Sequence, residues 1–185
     1  MPALRQAPVA ELPPFLLREL RSDHAGELGA VWIYRGILAV SRDPTLRAFA
    51  EAHRASEQTH LDFFLTHLPV AWHTKLGLLW RLAGWLLGAG PALLGPRAVY
   101  RTVAAVERFV DGHYADQITA LESLPEHRWL QLHLQRFRED ELHHRDDANA
   151  RFAAAGAQGP ARLAAFWEAV VEQGSAMGAA VARRV

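Results

Sequence analysis

"SEQTHLDFF" (residues 56–64) and "DELHHRDD" (residues 140–147) each contain Glu-x-x-His, Glu57 with His60 and Glu141 with His144. On an α-helix, positions i and i+3 share a face and their side chains lean the same way, so either pair can grip one ion. One such pair is a common accident of a polar helix. What stands one helix upstream decides the reading. Glu27 lies thirty residues before Glu57, within "DHAGELGA" (23–30), and Glu107 lies thirty-four before Glu141, within "AAVERFVDGHY" (104–114). Each interval spans half a helix, a turn and half of the next helix. An antiparallel neighbour therefore turns a lone Glu toward each Glu-x-x-His.

The surrounding chain has the helices this requires. Residues 14–42 place Leu16, Leu20, Leu28, Val31, Trp32 and Leu38 at spacings of three and four, an amphipathic pattern. Asp43 is an N-cap and Pro44 sits at the first helical position of the next helix, where a missing N–H is harmless; Pro69 ends it. Residues 97–122 and 126–155 form a third and fourth helical pattern. Pro160 opens a shorter fifth helix with Leu163, Phe166, Trp167, Val170 and Val171 on its apolar side. No alternating strand pattern of any length occurs. The expected fold is all-α: a four-helix bundle with an apolar inter-helix element and a fifth, C-terminal helix, in one domain over residues 1–185 with residues 1–13 as an extension.

Two halves of this kind supply four carboxylates and two imidazoles: Glu27, Glu57, His60, Glu107, Glu141 and His144. That is the ligand set of ferritin-like di-iron bundles. Hard carboxylates with borderline imidazoles suit Fe or Mn rather than structural zinc. Four carboxylates neutralise two divalent ions and can bridge them at about 3.5–4 Å. Without such partners a buried carboxylate costs several kcal/mol. Glu27, Glu57 and Glu141 lie along apolar stripes, so partners are needed. Asp111 and Tyr114 share a face with Glu107, Asp140 adjoins Glu141, and Asp23 and His24 precede Glu27; any of these can orient a ligand or make an ordinary surface pair. His143 faces away from Glu141, and His67, His73, His127 and His133 fit no constellation.

Composition removes other classes. The 185 residues carry twenty basic and twenty acidic side chains and no Cys. A zero formal charge argues against a nucleic-acid partner, and thiolate metal sites and disulfides are excluded. The N-terminus shows no signal or transit pattern, which suggests a cytoplasmic start. One stretch stands apart: "LGLLWRLAGWLLGAGPALLG" (76–95) is almost wholly apolar. Its length permits a membrane span, but its glycines, Pro91 and central Arg81 argue against a regular spanning helix. With Trp72, Trp80, Trp85, Lys75, Arg97 and Arg101 around it, it reads as an element lying in one leaflet. The alternative is an apolar hairpin buried in the protein or in an oligomer interface.

With "DHAGELGA", "IYRG", "SEQTHLDFF", "LLGAGPALLG", "AAVERFVDGHYADQI" and "FREDELHHRDD" in this order, the chain resembles the demethoxyubiquinone hydroxylases of ubiquinone biosynthesis over roughly residues 20–180. The resemblance implies iron ligands at the same six positions. It places His113 and Tyr114 near the site and a quinone channel, and makes the apolar element the quinone entrance and membrane contact. It implies two iron ions with O₂ as co-substrate, and a reductant such as NADH or the quinol itself. It also implies a prenylated demethoxyquinol substrate and a peripheral position on the cytoplasmic face of a bacterial inner membrane. The membrane lipid surface, other ubiquinone-biosynthesis proteins and a second copy of the chain are the expected partners. Arg108, His143 and Arg145 depart from the family pattern beside the ligands. Two rival classes are a ferritin-like iron oxidase or peroxide scavenger with a soluble substrate, and a non-catalytic helical adaptor.

Overall fold

A computed structural model describes residues 7–156 and 161–185. Among them are six α-helices and no strand. The helices are α1 (Pro14–Val40), α2 (Pro44–His67), α3 (Gly77–Leu94), α4 (Pro96–Leu121), α5 (Arg128–Ala154) and α6 (Ala161–Ala182). Local chemistry sets several boundaries. Asp43 Oδ1 accepts from the Leu46 N–H at 2.7 Å, and Pro44 opens α2. Between α3 and α4 stands a single residue, Gly95, at φ 104°, followed by Pro96. Only glycine takes that backbone conformation without strain, and proline is already shaped for the first turn of α4.

α1 pairs with α2 and α4 with α5, and the two hairpins pack as a bundle. Two apolar clusters fill its ends. One, around Leu16, Leu20, Phe64, Leu121, Leu134 and Phe137, lies at one end. The other, around Ile37, Leu46, Phe49, Val99, Tyr100 and Val103, lies at the opposite end. All six expected ligands are buried in the layer between them. That layer is shut off from water above and below, so any charge in it must be met by protein groups or by an ion.

α3 is a continuous helix despite its glycines and Pro91. It runs parallel to α1, because Gly84 meets Gly29 and Gly88 meets Ile33 further along both helices. The glycines provide closeness of approach. A Cβ on Gly88 would stand 1.9 Å from the Ile33 carbonyl oxygen, and one on Gly84 would stand 2.3 Å from that of Gly29. The two backbones therefore touch, and every side chain larger than hydrogen is excluded there. The outer face of α3 stays uncovered: Leu78, Leu82, Leu86, Leu93 and Leu94 are each more than half exposed. This rules out an apolar hairpin buried within the protein.

Residues 7–12 pack onto the bundle, and the apolar side expected for α6 needs correcting. Ala7, Val9 and Leu12 are buried, and the Ala7 carbonyl accepts from Trp129 Nε1 at 3.0 Å; residues 1–6 lie outside the described part. In α6, Phe166 and Val170 point outward at 68% and 43% exposure. The inward face is instead Trp167, Val171, Ala179 and Ala182, with Trp167 Nε1 donating to Thr102 Oγ1 at 2.8 Å. Polar residues at α6 fasten it to α4: Arg108 Nε donates to Glu172 at 2.7 Å and its NH2 to Glu168 at 3.0 Å. An apolar-stripe reading cannot see a helix held partly by ion pairs. Pro160 and the side chain of Leu163, also assigned to this helix from sequence, lie outside the described part.

Candidate metal centre

The bundle brings all six expected ligands together. Glu27 comes from α1, Glu57 and His60 from α2, Glu107 from α4, and Glu141 and His144 from α5. They form two overlapping groups, each with ligand atoms within 4.8 Å of one another: Glu27, Glu57, His60 and Glu141 in one, Glu57, Glu107, Glu141 and His144 in the other. Glu57 and Glu141 belong to both, so the two groups share two carboxylates. Both histidines aim Nδ1 at the carboxylates. His60 Nδ1 lies 3.0 Å from Glu141 Oε1, and His144 Nδ1 lies 3.1 Å from Glu57 Oε1 and 3.2 Å from Glu141 Oε2.

The halves support each other reciprocally. Tyr114, seven residues after Glu107, donates its hydroxyl to Glu27 Oε1. Tyr34, seven residues after Glu27, sets its hydroxyl 3.3 Å from His53 Nδ1. Phe137, four residues before Glu141, packs on the His60 ring with centroids 4.2 Å apart, and His53, four before Glu57, stacks on the His144 ring at 4.3 Å. Asp140 Oδ2 lies 3.2 Å from His60 Nε2, so Asp140 does orient a ligand. Asp111 does not; it pairs with Arg138 at 2.6 Å. His24 accepts from the Thr74 N–H at 3.1 Å, away from the cluster. His143 is exposed.

Electrostatics test whether metal fits. Burial, with Glu141 beside it, pushes the Glu57 carboxyl up to about 8, and burial with the same neighbour raises Glu107 well above the usual range. Burial also pushes on Glu141, but hydrogen bonds from His144 and His60 outweigh it and hold that carboxyl at about 2. His60 and His144 are driven up to about 12 and about 10: burial disfavours their charge, and hydrogen bonds to Glu141 overcome it. The polypeptide by itself thus crowds protons into a dry carboxylate layer. Glu27 Oε2 remains buried there without a hydrogen bond. Two divalent cations relieve these conditions with the donor set present, so the residues fit a pair of hard cations.

A cavity of about 420 Å³ opens beside this layer, between α1, α3, α4 and α6. Glu27, Glu57, Glu107 and Glu141 line its inner end, and Leu87, Trp80 and Val171 line its apolar part. His113 lies in its wall. His113 is not part of the ligand cluster: its Nε2 pairs with Asp23 Oδ1 at 2.8 Å, and Arg183 approaches its Nδ1 at 3.2 Å. Asp23 is itself held by Gln117 at 2.8 Å, while its Oδ2 is buried without a partner. Sequence reasoning gave no role to Gln117, Asp147 or Arg183. Their partners lie 94 residues away for Gln117 and for Asp147, and 70 for Arg183, and no local spacing reports a contact of that kind.

Residues 14–182 match the family model described as ubiquinone biosynthesis protein COQ7. The chain is similar to the 3-demethoxyubiquinol 3-hydroxylase of Rhodospirillum rubrum, 44% identical over 134 residues, covering 70% of this chain and 61% of the relative. It is 33% identical over 170 residues to the mitochondrial NADPH-dependent 3-demethoxyubiquinone 3-hydroxylase of Caenorhabditis elegans, covering 90% and 88%. The human protein of the same name is 39% identical over 147 residues, covering 75% and 67%.

Proposed function

The chain belongs to the demethoxyubiquinone hydroxylase family, and from that premise we propose that it is a di-iron monooxygenase acting on the ring of a prenylated demethoxyquinol in ubiquinone biosynthesis. The observation that carries the reading is the cavity, which runs from the apolar α3–α6 side directly to four of the six ligands. Its volume lies in the range of small-molecule sites, about 300–1,000 Å³. A substrate with an aromatic head and a long apolar tail suits it. The head reaches the carboxylates, and the tail leaves between α3 and α6, where exposed Leu82, Leu86, Phe166 and Val170 continue the apolar surface.

Glu27, Glu57, Glu107, Glu141, His60 and His144 would hold two iron ions. When bound, these supply the activation of O₂, one atom of which enters a ring C–H bond while the other leaves as water with two electrons and two protons from a reductant. The chain does the rest. Tyr114 anchors the lone Glu27 carboxylate. The clusters at either end exclude water, which keeps an oxidant from side reactions. Asp23 Oδ2, buried and unpaired in the cavity wall, is an acceptor for a ring hydroxyl. The relatives' names point to NADPH as reductant, where the resemblance implied NADH or the quinol itself.

The test is to supply demethoxyquinol and reductant to iron-loaded protein under ¹⁸O₂. One labelled oxygen is expected in the product ring. Glu57→Ala and Glu141→Ala are expected to lose bound iron and to lower turnover by more than about a hundredfold. Iron binding with no label in the ring, together with rapid peroxide consumption, would replace this reading by the soluble-substrate oxidase.

A further inference from the structure

The two halves differ at one matched pair of positions. Each metal-facing histidine is covered by a ring four residues before the Glu-x-x-His of the opposite hairpin: Phe137 on His60, His53 on His144. Phe137 offers only packing, and it needs to do no more. His60 is oriented by Asp140, 3.2 Å from its Nε2. His144 has no such carboxylate; among the described residues its Nε2 has no hydrogen-bond partner. Its covering ring carries polar contacts instead. His53 Nε2 lies 3.1 Å from Asp147 Oδ2, and His53 Nδ1 lies 3.3 Å from the Tyr34 hydroxyl. The contact assigns the tautomer: a carboxylate can only accept, so Nε2 carries the proton, and Nδ1 accepts from Tyr34. Arg151 Nε donates to the other Asp147 oxygen at 2.8 Å. Phe49 closes the far side of the His53 ring at 4.1 Å. The imidazole is thus fixed in plane by two hydrogen bonds and in position by two ring contacts, with the nearly parallel His144 ring, tilted 28°, on one of them.

We infer that His53, anchored by Asp147 and Tyr34, is a positioning residue for His144, taking the part that Asp140 plays for His60, so that the two cation positions are held by different devices. His53 touches no cation; it sets the plane of the ring that does. The inference rests on the two-cation reading of the centre. Orienting partners of metal-bound histidines are worth about 10–100-fold in affinity. Because Asp147 lies on the outside of the bundle with its side chain 26% exposed, it can be changed without disturbing the core.

The experiment is anaerobic titration of the metal-free full chain with Co²⁺, read by calorimetry and by the visible absorption of each bound equivalent. Two equivalents are expected for the unchanged protein. Asp147→Asn and His53→Phe (the second keeps the ring contact and removes the hydrogen bonds) are each expected to weaken one equivalent about tenfold and shift its spectrum, leaving the other as it was. Asp140→Asn is expected to weaken the opposite equivalent. In a His144→Ala background, Asp147→Asn should have no further effect. Equal weakening of both equivalents by Asp147→Asn would mean a merely structural role and overturn the inference. So would a His53→Phe protein whose titration and spectra match the original. A chain that takes up no Co²⁺ at all would instead sink the two-cation reading.

Discussion

At the scale of single residues, the chain separates charge that must be stored from charge that must be avoided. His24 belongs to the second kind. Burial, and then the nearby His73, hold its imidazole down at about 4, and its Nδ1 accepts the Thr74 N–H. Protonating that nitrogen destroys the hydrogen bond. In the unfolded chain the same group titrates near 6.5. The folded value lies below the unfolded one, so below pH 6.5 the unfolded chain binds the proton first. His24 therefore leaves stability untouched above pH 6.5, removes it as pH falls toward 4, and adds nothing more below that. The full loss is at most about 3 kcal/mol. Urea melts from pH 7 to 4 are expected to show this fall, and His24→Asn, which keeps an acceptor near Nδ1, is expected to make it shallower. The clustering of all six expected ligands was legible in the sequence because a helix turns spacing into direction. His53, Asp147 and Gln117 were not, since their partners are set by how hairpins face one another.

At the scale of elements, periodicity worked where a helix has one dry side and failed where it has two. The four bundle helices match their expected spans to within a few residues. In α3 the glycines serve packing: Gly84 and Gly88 form a flat strip against α1, which periodicity does not report. α6 was misjudged because Glu168 and Glu172 face inward, to Arg108. The strip makes a sharp prediction. Gly88→Val sets a side chain into the Ile33 carbonyl and is expected to cost on the order of 3 kcal/mol, lowering Tm by about 5–10 °C in a calorimetric scan. Gly90→Ala, with nothing within 4 Å of its added carbon, is expected to leave Tm within about 2 °C.

For the molecule as a whole, the exposed leucines of α3 and the outward Phe166, Val170 and Met177 of α6 make one apolar side on a protein with no formal net charge. Its α3 is long and apolar enough to cross a bilayer by length and composition alone, but it packs lengthwise on α1, which favours lying at the interface. The protein is expected to float with phospholipid vesicles in a density gradient. Leu82→Glu with Leu86→Glu is expected to reduce the floating fraction at least tenfold while bound iron stays unchanged, because neither leucine lines the cavity. A double variant that floats as well as the original would mean the apolar side serves another purpose, such as pairing with a second copy.

Neither cage belongs to one half of the chain. The α1–α2 hairpin lacks the α5 carboxylate that its own cage requires, and the α4–α5 hairpin lacks Glu57. Prising the hairpins apart dismantles both cages in a single movement, so an ion held in either would act as a rivet through the two halves, and a chelator would strip it only as fast as the halves gape.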